Sequence, residues 1–146
     1  MDYSVRIDGL DKIKESLAAT PKRIEQGVNK ALYAAAKHVE TVAKKSILSG
    51  GKSGIVYHRR SVTHRASAPG EAPASDTGRL VNSISSYAGD GESFVTAGRG
   101  TVKYASMLEF GTSKMAPRPF MFPALEQSKA WIKERLALAI ARATGK

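Results

Sequence analysis

Residues 104–126, YASMLEFGTSKMAPRPFMFPALE, decide how the C-terminal part of the chain folds. The stretch is rich in Phe, Met, Leu and Pro, yet it fits neither a helical nor a strand period, and three prolines, Pro117, Pro119 and Pro123, fall within 117–123. It therefore has to be read in pieces. Tyr104, Met107 and Leu108 can share one side of a short helix, with Gly111 placed to stop it in the left-handed region. TSKMA (112–116) is a polar bridge. The prolines fix φ and bias Ala116, Arg118 and Phe122 toward extended backbone, so PRPFMFP becomes a stiff connector presenting Phe120 and Phe122 at fixed points. After Pro123 a last helix carries Leu125, Ile132, Leu136, Ala139 and Ala143 on one stripe, with Trp131 and Leu138 beside it.

Upstream, Ile84–Tyr87 and Ser93–Arg99 read as two strands joined at the GDG turn, whose glycines tolerate positive φ. Asp76 is placed to cap a short helical turn through TGRLVNSI. Ile24, Val28, Leu32, Ala35, Val39, Val42 and Ile47 recur near every 3.6 residues, the strongest helical pattern in the chain. Thr20 and Pro21 suit its N-cap and first position, and SGG at 49–51 ends it. Before it, Leu10, Ile13 and Leu17 form a short amphipathic helix, preceded by a strand in which Tyr3, Val5 and Ile7 alternate with polar residues and which Gly9 ends. The expected fold is α+β: a long N-terminal helix and a C-terminal helix packed on a small, mostly antiparallel sheet. Residues 1–146 are expected to form a single domain with a long, flexible basic loop at about 49–75, whose centre, IVYHRRSVTHR (55–65), can pair as a short hairpin.

The composition, 42% hydrophobic and 25% charged over 146 residues, is that of one globular domain. No apolar run is long enough to span a bilayer, and MDYSVRIDGLDK lacks the pattern of a secretory signal, so synthesis and use in a cytoplasm are expected. The absence of cysteine removes disulfides, thiolate metal sites and cysteine nucleophiles. SGGKSG echoes a phosphate-binding loop, but the position that needs glycine is Ser46, and the segment closes a helix instead of opening one. His38 lies at the edge of the long helix's apolar face, while His58 and His64 sit in the loop without nearby carboxylates. No metal site, cofactor or Ser-His-Asp arrangement is suggested, so no catalytic residues are assigned.

The formal charge is +10, from 23 Lys and Arg against 13 Asp and Glu. Between Glu40 and Glu71 no acid occurs, while Lys44, Lys45, Lys52, Arg59, Arg60 and Arg65 do. Such an arm can touch phosphate backbone or an acidic protein surface without reading sequence. Tyr57 is its only aromatic, which argues against base stacking. Farther along, each buried Phe contributes about 2–3 kcal/mol, and a small domain has little room for Phe120, Met121, Phe122 and Trp131 together. The surplus points to a subunit interface.

The same region, YASMLEFGTSKMAPRPFMFPAL, resembles the head–tail joining, neck or tail-completion proteins of tailed bacteriophages, typified by the gene-ten product of a lambdoid Hong Kong coliphage. The matching elements are Tyr104-Ala105, Leu108 to Thr112, Arg118 to Phe120 and Pro123-Ala124. A Thr-Gly-x-Leu-x-x-Ser-Ile element is matched upstream by Thr77, Gly78, Leu80, Ser83 and Ile84. The resemblance implies a non-enzymatic virion protein at the head–tail junction, made in the host bacterial cytoplasm. It would form a homo-oligomeric ring of six or twelve copies around a channel for double-stranded DNA. Its neighbours would be connector or stopper proteins and tail terminator or tail tube proteins, with no membrane partner.

Within that picture Glu109 and Arg118 are expected to pair. Tyr104, Phe110, Phe120, Phe122 and Trp131 are interface or core anchors. Lys52, Arg59, Arg60 and Arg65 face the DNA channel or an acidic neighbour. Two rivals are a free, non-specific double-strand DNA-binding protein and a small hydrolase centred on Glu109 and His38.

Overall fold

A computed structural model describes residues 3–6, 22–100 and 102–145. Helix α1 (Lys22–Leu48) is its spine. The periodic face buries Val28, Leu32, Ala35, Ala36, Val39, Ala43 and Ile47, and the alanines let neighbouring elements approach closely. The expected helix through Leu17, its Thr20-Pro21 successor cap and the Ile7–Gly9 strand end lie outside the described residues.

Strands β1 (Tyr3–Arg6), β4 (Ser85–Ala88) and β5 (Ser93–Ala97) form an antiparallel sheet in the order β1-β5-β4. Val95 pairs with Val5 on one side and Ser86 on the other. Ser93, Val95 and Ala97 point inward, as a period of two requires, and α1 packs across β4 and β5. Helix α4 (Met121–Thr144) runs antiparallel to α1. Arg23 Nη2 donates to Ala143 O at 2.8 Å near one end, placing a cation on the negative end of α4. Farther along, the His38 and Trp131 rings stack at 4.1 Å, 6° from parallel.

The short helix α2 (Arg79–Asn82) follows Gly78, which sits at φ 73° and gives no side-chain cap. Asp76 is thus not a cap; its carboxylate lies 3.4 Å from Arg59 Nη1. Ser83 Oγ donates to Leu80 O at 2.7 Å and accepts from Gly98 N at 3.1 Å, tying α2 to the end of β5. The two strands around GDG fall within one or two residues of their expected bounds.

The 49–75 segment carries a hairpin, β2 (Val56–Arg59) and β3 (Val62–Arg65), joined at Arg60 and Ser61. Arg60 holds φ 50°, in the region a two-residue hairpin turn demands. At the base Gly54 N donates to Ala66 O and Ala66 N to Ile55 O, at 3.0 and 2.9 Å. A Cβ on Gly54 would lie 2.6 Å from the carbonyl oxygens of Ala66 and Ser67, so the strands close only around glycine. The short hairpin expected at the centre of the loop is therefore present, as an arm with a bonded base.

Candidate functional site

Two features stand out on this scaffold, a clasp at 105–123 and the basic arm attached to it. Helix α3 (Ala105–Phe110) ends where Gly111 N donates to Met107 O at 2.8 Å. Gly111 holds φ 75° and ψ −178°, a glycine-only combination and not the left-handed helical stop expected. A Cβ there would sit 2.7 Å from Met115 O and 2.9 Å from Pro117 Cδ. The tight turn lets Thr112 and Met115 bridge and brings the proline connector back, with Arg118 N donating to Leu108 O at 2.6 Å.

Glu109 is buried at the centre of this turn. Its Oε2 accepts from the backbone N–H groups of Phe120 and Met121, at 2.9 and 3.0 Å, and its Oε1 from Phe122 at 2.8 Å. A helix begins with N–H groups that have no intrahelical acceptor. Here three are satisfied by one carboxylate and the next residue, Pro123, has none. The negative charge also sits on the positive end of the α4 dipole. Helix α4 accordingly starts at Met121, two residues before Pro123, the expected start.

The expected Glu109–Arg118 pair does not form. Glu109 spends both oxygens on the helix, and Arg118 Nε donates to Ser67 O at 3.2 Å, on the far side of the arm's base. Gly70 N adds a bond to Pro117 O at 2.9 Å. Clasp and arm are thus joined by two bonds from the connector.

The five expected anchors divide. Phe120 is fully buried in the core, and Trp131 is half-buried against it with His38 on its face. Tyr104, Phe110 and Phe122 point outward, the latter two 64% and 60% exposed. Met107, on the same side of α3, is also exposed and joins them. Phe110 follows Glu109 in the chain and the Phe122 N–H binds it, so both exposed rings leave one rigid junction.

The four expected channel cations also divide. Lys52 folds back on the end of α1, its Nζ donating to Ser46 O at 2.8 Å. Burial lowers its pKa, partly countered by the Glu71 charge. Arg59 meets Asp76, Arg65 Nη1 donates to Gly54 O at 3.5 Å, and Arg60 sits exposed at the tip. Glu71, not singled out from sequence, fastens the base: it accepts from Ser53 Oγ, from Ser53 N at 3.1 Å and from Ala68 N at 2.9 Å. Hydrogen bonds from the Ser53 hydroxyl and these amides hold its pKa at about 2. The available signal was its position as the first acid after a long basic run.

Glu40 is the second organising carboxylate. Burial alone would raise its pKa, but bonds from Lys44, Ser86 and Lys37 outweigh this and hold it at about 2. Lys44 Nζ and Lys37 Nζ lie 2.6 and 3.0 Å away, and Ser86 Oγ donates to it from β4. It thereby locks α1 to the sheet. A cavity of about 390 Å³ lies between arm and clasp, lined among others by Tyr57, His64, Asp76, Arg79, Tyr104 and Leu108. The hydrolase pairing fails on geometry, since Glu109 is filled by backbone donors and the His38 ring lies on Trp131. Among the described residues no cluster of three or more His, Cys, Asp or Glu could hold a metal, and no helix is long and apolar enough to cross a membrane.

A family model described as "Bacteriophage HK97-gp10, putative tail-component" matches residues 11–111. The match includes the short Thr-Gly element and Leu108 to Gly111, and stops before Arg118 to Phe120. No curated protein and no solved structure matches.

Proposed function

The chain belongs to this bacteriophage tail-component family, and on that premise we propose that it forms a closed ring at the head–tail junction. The family makes it a structural phage tail component and a part of the virion. The finer reading is that the ring completes the tail or neck, joins it to the capsid portal, and leaves a bore for double-stranded DNA. Its neighbours are connector or stopper proteins and tail terminator or tail tube proteins.

The observation that carries this is the clasp, which holds Phe110, Phe122, Met107 and Tyr104 in water on a backbone braced by Glu109 and prolines. Several large apolar side chains exposed on one braced segment mark a protein contact. Pre-set stiffness lowers the entropy lost on docking. Ring closure by six or twelve copies would bury it in every subunit.

Microscopy of the parent particle's neck tests the reading. A ring of this chain between portal and tail supports it; a single copy, or none at the connector, overturns it. The exposed arginines of the arm favour a second reading, a free non-specific binder of duplex DNA. That protein would bind duplex as an isolated monomer or dimer, with affinity falling steeply with salt.

A further inference from the structure

The arm carries more apolar surface than phosphate contact needs. Ile55, Tyr57 and Val62 are 69%, 53% and 59% exposed. The register pairs Tyr57 with His64 and Arg59 with Val62, so one face of the hairpin presents Tyr57, Arg59, Val62 and His64 together. Cations suffice for phosphate backbone; Val62 and Ile55 gain only from covering by protein. A two-stranded hairpin is also marginal in water by itself, and this one is held out from a fastened base.

Opposite charge lies at the other end of the molecule. The β4–β5 turn carries Asp90 and Glu92 and is pinned to α1, with Gly91 N donating to Asn29 Oδ1 at 3.0 Å. Glu25 lies one helical turn before Asn29. The arm springs from the far end of the same helix, where Lys52 binds Ser46 O. Asn29 and Ser46 are about 25 Å apart along the axis at 1.5 Å per residue, so basic arm and acidic turn of one copy lie near opposite ends of α1. Two complementary, non-identical surfaces at opposite ends are what a head-to-tail ring requires.

We infer that the β2–β3 arm docks on a second copy of this chain, seating its Tyr57–Val62 face and Arg60 tip against that copy's acidic β4–β5 turn. The inference rests on the ring reading and names one of its contacts. Arg118 and Gly70, which tie the arm's base to the clasp, set the angle at which the arm leaves.

Charge reversal tests it on the full chain. Arg59→Glu with Arg60→Glu, or Asp90→Lys with Glu25→Lys, should each weaken assembly by at least about tenfold in sedimentation. All four together should restore it, with circular dichroism confirming the fold of each variant. Because the chain has no cysteine, Val62→Cys with Asp90→Cys should also give inter-copy disulfides under mild oxidation. Unchanged assembly on arm reversal, no rescue by the fourfold variant, or no cross-link overturns the inference while leaving the ring standing. Arm reversal that abolishes duplex binding but spares the ring assigns the arm to DNA instead. A wild-type chain that stays monomeric at every concentration sinks the ring reading and this contact with it.

Discussion

Glu109 shows how one side chain can define where a helix begins. With Glu109→Ala three N–H groups lose their acceptor, two of them on the buried residues Phe120 and Met121. The expected loss is about 3–5 kcal/mol, read as a lower urea midpoint; an unchanged midpoint contradicts the role. Glu109→Gln keeps an acceptor oxygen but not the charge, and should fall between. Glu40 makes a pH prediction. Its folded pKa, about 2, lies below the unfolded value near 4.3. Its stabilisation is therefore complete above the unfolded pKa and disappears as pH falls toward 2, on the order of 2–3 kcal/mol in all. Glu40→Gln should flatten the pH dependence of unfolding free energy across that window, and an acid limb as steep as the wild type's would contradict this.

At the scale of elements, α1 was legible because its apolar period is local and sustained. The start of α4 was not, because its cap is Glu109, eleven residues before Phe120 and reached only through the Gly111 turn. Pairing Glu109 with Arg118 failed for the same reason: opposite charges in a sequence do not reveal that three backbone donors compete for the carboxylate. Asp76 beside a turn looked like a cap, but Gly78 takes that position and Asp76 faces Arg59 across the chain. The arm's basic charge and its short hairpin were both readable in IVYHRRSVTHR, but its fastening was not, since its anchors, Glu71, Ser67 and Pro117, are long-range partners. Within the arm, Arg60 holds a left-handed φ that costs a non-glycine residue about 1–2 kcal/mol. Arg60→Gly should relieve part of this and slow amide exchange across β2 and β3; faster exchange would show that the Arg60 side chain holds the turn.

At the scale of the molecule, the burial pattern separates what folds the chain from what is left for assembly. Phe120 and Met121 are spent on the core beneath α1, while Phe110 and Phe122 remain in water on either side of Glu109. Replacing both exposed rings, Phe110→Ser with Phe122→Ser, should change monomer stability by no more than about 0.5 kcal/mol each, as for surface sites generally. Its effect should fall on association instead. The most direct test of the account is the native mass of the wild-type chain beside this double variant. The account predicts a single closed multiple of the subunit mass for the wild type and a folded monomer for the variant. A monomeric wild type, or a variant that assembles as well as its parent, would contradict it.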